Sequence, residues 1–80
     1  MKTVEIYTTA NCKYCGLAKD FFKTNNVHYS EHNVGTDAEK RAEMVDISGQ
    51  MGVPVIRIDD NVVIGYDEKA LKHLLEIHEK

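Results

Sequence analysis

Hydrophobic and polar positions alternate at the start of the chain and then change period. Val4 and Ile6, with Thr3, Tyr7 and Thr8 around them, suit a strand by composition and alternation. From Tyr14 the spacing becomes helical. Tyr14, Leu17, Ala18, Phe21 and Phe22 make one face of a helix that ends near Asn25-Asn26. Val27 to Val34 reads as a weaker strand closed by Gly35. Thr36-Asp37-Ala38-Glu39 has the S/T-x-x-E form of a capping box, in which the threonine is the cap. The helix it opens carries apolar residues at Ala38, Ala42 and Val45 and should stop at Ser48-Gly49.

Val53 to Ile58 is β-rich, and Asp59-Asp60-Asn61 is a turn cluster before Val62-Val63-Ile64. This predicts a tight hairpin, with Asn61 tolerating the positive φ such a turn requires. Gly65 breaks the second strand. Asp67 then caps a last helix with a core face of Ala70, Leu71, Leu74, Leu75 and His78. The order is β-α-β-α-β-β-α. Its first β-α-β should be a right-handed parallel unit, and the closing hairpin adds an antiparallel pair. The fold class is therefore α/β, a four-stranded mixed sheet with helices on both faces.

At 80 residues the chain has room for one domain, residues 1–80. With 42% apolar and 29% charged residues it can bury a core and is not disordered by composition. The formal net charge of −3, with basic residues scattered among acids, argues against nucleic-acid binding. Arg57 interrupts the longest apolar stretch, so no membrane span is expected. No apolar core of about 7–15 residues follows Lys2, as a signal peptide would require, and a cytoplasmic location is expected. Nothing in the pattern demands a dimer, so a monomer is expected.

The two cysteines, Cys12 and Cys15, form a C-x-x-C where the first strand meets the first helix. A bridge this short constrains little of the unfolded chain and is a poor structural staple. Redox chemistry explains it better. At a helix N-terminus, unpaired amide N–H groups and the dipole stabilise a thiolate, lowering a cysteine pKa from ~8.5 into the range of roughly 3.5–7.5. Cys12 is then the nucleophile, and Cys15, one turn further in and more buried, attacks the mixed disulfide that results. Lys13 places a cation nearby, weakened by solvent screening. Tyr14 is either an aromatic wall beside the sulfurs or the first core position of the helix.

A zinc site needs four ligands, and neither a second C-x-x-C nor an H-x₃₋₅-H partner is present, so no metal is expected. His28 and His32 fall in the second strand, and His73 and His78 diverge on the last helix. All four are expected at the surface or a sheet edge. Pro54 sits inside a β-rich run, where proline is tolerated at a strand start or edge. Only about 5–6% of X-Pro bonds in folded proteins are cis, so residues alone read it as a strand-initiating trans proline.

From Lys2 to the last helix the chain resembles the glutaredoxins. The matching pieces are Val4-Glu5-Ile6-Tyr7-Thr8, Cys12-x-Tyr14-Cys15, Gly52-Val53-Pro54 and Gly65-Tyr66-Asp67, in the family's order and spacing. The resemblance implies a thioredoxin fold with strand order 2-1-3-4. It implies a cis Pro54 packed beside the dithiol and a Val53 backbone that pairs with a substrate's peptide backbone. Cys12 would be the attacking thiol and Cys15 the resolving thiol.

The resemblance also implies a glutathione groove. Asp67 would hold the γ-glutamyl amine and the Tyr66 N–H its carboxylate, with Asp67 equally readable as an ordinary N-cap. Tyr14 matches the tyrosine of the usual C-P-Y-C. Glutathione is the expected co-substrate, with no tightly bound cofactor, and disulfide-bearing proteins are the expected partners.

The departures from the family pattern are specific. Many members carry a lysine before the first cysteine for glutathione's glycyl carboxylate, where this chain has Thr8-Thr9-Ala10-Asn11. Lys13 replaces the motif proline, Gly52 the usual threonine, and Ile64-Gly65 the usual Gly-Gly. These lean towards the redoxins that are reduced by thioredoxin reductase and serve ribonucleotide reductase. A third expectation is an iron–sulfur cluster held with glutathione. It is disfavoured by Cys15, since such members commonly have one cysteine in C-G-F-S.

Overall fold

A computed structural model describes residues 2–77. Its elements are β1 (Val4–Thr8), α1 (Lys13–Thr24), β2 (Ser30–Asn33), α2 (Ala38–Ser48), β3 (Val55–Ile58), β4 (Asn61–Ile64) and α3 (Glu68–Leu74). The four strands form one sheet in the order β2-β1-β3-β4, as the resemblance implied. β1 and β2 run parallel, and both other pairs run antiparallel.

Alternation along β1 sends Val4 and Ile6 to one face and Tyr7 to the other, as pleating requires. The first face packs with Ile56, Ile58 and Val63 against Ala18 and Phe22 of α1 and Leu71 of α3. The second packs Tyr7, Val34 and Val55 against Met44 of α2. Helices thus cover both faces.

The structure rotates two predicted helix faces. On α1 the buried stripe is Cys15, Ala18, Phe21 and Phe22, while Tyr14 and Leu17 stay exposed. On α2, Ala38 and Ala42 are exposed and Val45 is half-buried. Met44 is buried instead, with Ile47 packed beside it, because these longer side chains remove more apolar surface from water than alanine does. The rotation of α2 is also fixed by polarity: the buried Tyr7 hydroxyl donates to Glu43 at 2.5 Å. Burial, with the Glu43 carboxylate adding, raises the Tyr7 phenol far above its usual range.

Element ends differ too. The cap of α2 is Asp37, not Thr36: its carboxylate accepts from the Lys40 N–H at 3.1 Å, while the Thr36 hydroxyl turns to the Asn33 carbonyl. β2 starts at Ser30 rather than Val27, because residues 25–27 close α1. Asn26 takes a positive φ of 56°, and the Val27 N–H bonds back to the Phe22 carbonyl at 2.8 Å. His28 therefore lies outside the strand. His32 lies in the edge strand β2, with its ring tilted against Tyr7 at 5.2 Å between centroids and 3.3 Å from Glu5. β3 starts at Val55, not Val53. In the hairpin the positive φ falls on Asp59 (53°) rather than Asn61, because only residues 59 and 60 form the loop and Asn61 pairs with Ile58. Asp59 exchanges two hydrogen bonds with the Thr3 backbone. His78 lies outside the described residues.

The Tyr7–Glu43 bond gives a stability prediction. Its hydrogen bond, then Lys40, holds the Glu43 carboxyl below its ordinary 4.5. A carboxyl depressed on folding contributes stability above its unfolded pKa and loses it as pH falls through the folded value. Tyr7→Phe should therefore cost about 1 kcal/mol at neutral pH. It should also flatten the loss of stability below about pH 4.5. Urea unfolding at pH 7 and at pH 3.5 checks both, and an unchanged acid slope would remove Glu43 from the account.

Candidate active site

Strand register brings three loops to one end of the sheet. Tyr7 pairs with Val55 and Val55 with Ile64, so the chain leaving β1, entering β3 and leaving β4 meets at the same edge. The first loop carries the cysteines, the second Val53-Pro54 and the third Gly65-Tyr66-Asp67.

Cys12 is the N-cap of α1, with extended φ and ψ of −109° and 109°, and its Sγ accepts the Cys15 N–H at 3.1 Å. Cys15 is 1% exposed, Cys12 is more open, and the two are joined as a disulfide with Cα atoms 5.2 Å apart. A sulfur that receives an amide N–H in the first turn is placed to carry negative charge. No acidic residue stands in that turn to oppose it. Lys13 is exposed beside it. Tyr14 is 58% exposed, so it is not the first core position of the helix.

The Val53–Pro54 peptide bond is cis, as the resemblance implied and the residues alone did not. Pro54 is buried, and its carbonyl accepts the Gly65 N–H at 2.8 Å, which joins the second loop to the third. Gly65 takes a φ of 80°, a conformation side chains rarely adopt. Tyr66 meets Phe21 of α1 edge-on, with ring centroids 6.3 Å apart, and burial followed by the Glu68 carboxylate raises its phenol above the ordinary value. Asp67 is the N-cap of α3, accepting the Ala70 N–H at 3.1 Å through one carboxylate oxygen.

Sequence reasoning missed several neighbours. Leu17, Met51 and Ile64 are large apolar residues left exposed around this end of the fold. The helical spacing puts Leu17 on the core-facing stripe, and only the tertiary arrangement shows otherwise. Thr8, at the end of β1, is the buried polar residue of the described part. Its hydroxyl donates to Glu31 at 2.9 Å, and Lys19 reaches the same oxygen at 2.9 Å. Lys19, against a smaller opposing effect of burial, holds the Glu31 carboxyl below its usual range. No local signal reveals this trio, since it depends on β1–β2 register and on α1 lying across both.

Comparisons with known proteins agree with this geometry. The glutaredoxin family model matches residues 4–63. The chain is 40% identical over 68 residues to glutaredoxin 3 of Escherichia coli K12, covering 85% of this chain and 82% of that one. It is 37% identical over 73 residues to an uncharacterised glutaredoxin-like 8.6 kDa protein of the rubredoxin operon of Clostridium pasteurianum, covering 91% and 97%. Among solved structures, a mutant of the thioredoxin-like protein BC3987 superposes with a TM-score of 0.90 at 36% identity, covering 98% of this chain and 100% of that one.

Proposed function

Because this chain belongs to the glutaredoxin family, we propose that it is a thiol–disulfide oxidoreductase that reduces protein and glutathione mixed disulfides through Cys12 and Cys15. The observation that carries the reading is the half-buried Cys12 sulfur at the helix cap, bridged to a fully buried Cys15.

The cycle follows from that asymmetry. In the reduced protein the Cys12 thiolate attacks one sulfur of a substrate disulfide, and the other sulfur leaves as a thiolate that takes up a proton. Cys15 loses its proton and attacks the Cys12 sulfur. The substrate's remaining sulfur then leaves as a thiol and the Cys12–Cys15 disulfide closes. Two electrons have passed to the substrate, and an external thiol must return them.

Glutathione is the proposed donor. The Val53 backbone would pair with its peptide, the Tyr66 N–H with a carboxylate and the free oxygen of Asp67 with its amine. Tyr14 and Lys13 would flank the sulfur. A second reading is favoured by one feature: Thr9-Ala10-Asn11 holds no cation for the glycyl carboxylate. A missing charge-assisted contact is worth about 1.5–3 kcal/mol, roughly a tenfold or greater weakening. On that reading thioredoxin reductase is the donor and ribonucleotide reductase an acceptor. A reducing compartment such as the cytoplasm suits either donor.

Two coupled NADPH assays decide between them, one with glutathione and glutathione reductase and one with thioredoxin reductase. Turnover in the first supports glutathione, and turnover confined to the second supports the other donor. Failure of the chain to oxidise NADPH in either, with several disulfides offered, would sink the oxidoreductase reading.

A further inference from the structure

The segment between α2 and β3 runs straight into Val53, and side chains rather than a ladder set its shape. The Ser48 hydroxyl lies 2.6 Å from the Met44 carbonyl and accepts the Gln50 N–H at 3.3 Å. Gln50 then closes on the residue two further along. Its Nε2 donates to the Gly52 carbonyl at 2.9 Å, and its Oε1 accepts the Gly52 N–H at 2.7 Å. One carboxamide thus occupies both polar backbone groups of Gly52. A Cβ at position 52 would lie 2.7 Å from that Oε1, so any larger residue there would have to push the carboxamide aside. At Val53 the situation reverses: among the described residues neither its N–H nor its C=O has a hydrogen-bond partner.

We propose that Gln50 is a positioning residue for substrate, holding the Gly52 peptide groups so that Val53 rather than Gly52 presents its backbone to an incoming polypeptide disulfide. The inference rests on the proposed oxidoreductase function and on Val53 as the edge that pairs with substrate. Ordering this edge in advance removes part of the entropy that docking must otherwise overcome. Engaging Gly52 internally also ends the substrate ladder at Val53. Chemistry at Cys12 does not pass through Gln50, so its loss should weaken docking and leave bond exchange unchanged.

The test uses the full chain, reduced beforehand and mixed with excess disulfide, so that no external donor enters. One probe is a synthetic peptide cyclised by a disulfide, and the other is dithiobis(nitrobenzoate), which has no peptide backbone to pair. Gln50→Ala should raise the half-saturating peptide concentration about three- to tenfold, the size expected for one or two neutral hydrogen bonds. The limiting rate and the nitrobenzoate reaction should not move. Gly52→Ala displaces the same carboxamide and should match it, and the double variant should be no worse than either single one. Gln50→Glu keeps the acceptor and loses the donor, so an intermediate shift is expected. Should Gln50→Ala fail to fold by circular dichroism, Gln50→Glu and Gly52→Ala carry the comparison. Equal losses on both probes, additive variants, or no loss at all overturn the assignment of Gln50 alone. A wild-type protein that reacts with neither probe overturns the oxidoreductase function itself.

Discussion

Replacing Cys12 by serine should reduce disulfide turnover to the uncatalysed background while leaving the fold intact. A serine hydroxyl is not ionised near neutral pH, and only a thiolate is competent to attack a disulfide sulfur. The cap survives the change, because a serine oxygen accepts an N–H in the first turn as well as sulfur does. Loss of activity would therefore report chemistry rather than folding. Cys15→Ser separates the two steps. Cys12 still attacks, but the resolving sulfur is gone, so a stoichiometric mixed disulfide should accumulate and be visible by mass spectrometry. In that variant the Cys12 thiolate, followed by its ultraviolet absorbance, should appear below the ~8.5 of an ordinary cysteine, because it receives an amide N–H at the helix cap. A Cys12→Ser protein that keeps full activity, or a Cys12 that titrates as an ordinary thiol, would remove the nucleophile from the mechanism.

The largest effect on stability is expected from Phe22→Ala. Phe22 is fully buried between α1 and the sheet, tilted against Tyr29 at 5.2 Å and edge-on to Phe21 at 6.0 Å between ring centroids. Truncating a buried phenylalanine costs about 3–5 kcal/mol, combining lost transfer energy with a cavity. A single core of this size supplies only about 3–5 kcal/mol of net stability. The variant should thus lie near or beyond its unfolding midpoint in water at room temperature, with weak near-ultraviolet dichroism and a shallow urea transition. Phe22→Leu, which keeps most of the volume, should remain folded. An alanine variant with a wild-type urea midpoint would show that the chain collapses around the gap, contrary to a close-packed interface. Activity should follow the folded fraction, because α1 carries both cysteines.

Much of this molecule is legible in its residues. The change of period at Tyr14 locates α1, the C-x-x-C between strand and helix locates the reactive sulfurs, and Asp67 announces its own cap. These are local signals, and local signals survive in a sequence. What depends on neighbours does not. Tyr14, Leu17 and Phe21 share a helical spacing, yet the first two are exposed, because the sheet covers only the stripe through Cys15, Ala18 and Phe22. Met44 outweighs Ala38 and Ala42 only once Tyr7 is known to reach Glu43 from the sheet face that α2 covers. Residues alone assigned the common isomer to Pro54, and only the family resemblance pointed to the cis one. The Gln50 clamp is harder still, since a glutamine two residues before a glycine carries no established turn signature, unlike asparagine or serine.

The β3–β4 turn at Asp59-Asp60 sits at the end of the sheet away from all three reactive loops, and it closes on Thr3 rather than on anything catalytic. The molecule consequently has a blunt pole and a working pole. Asp60 is fully exposed, so a tether fixed there would hold the protein on an electrode or a bead with its disulfide facing the solution. Immobilised in that orientation, it could exchange electrons with partners without giving up any part of the surface they need.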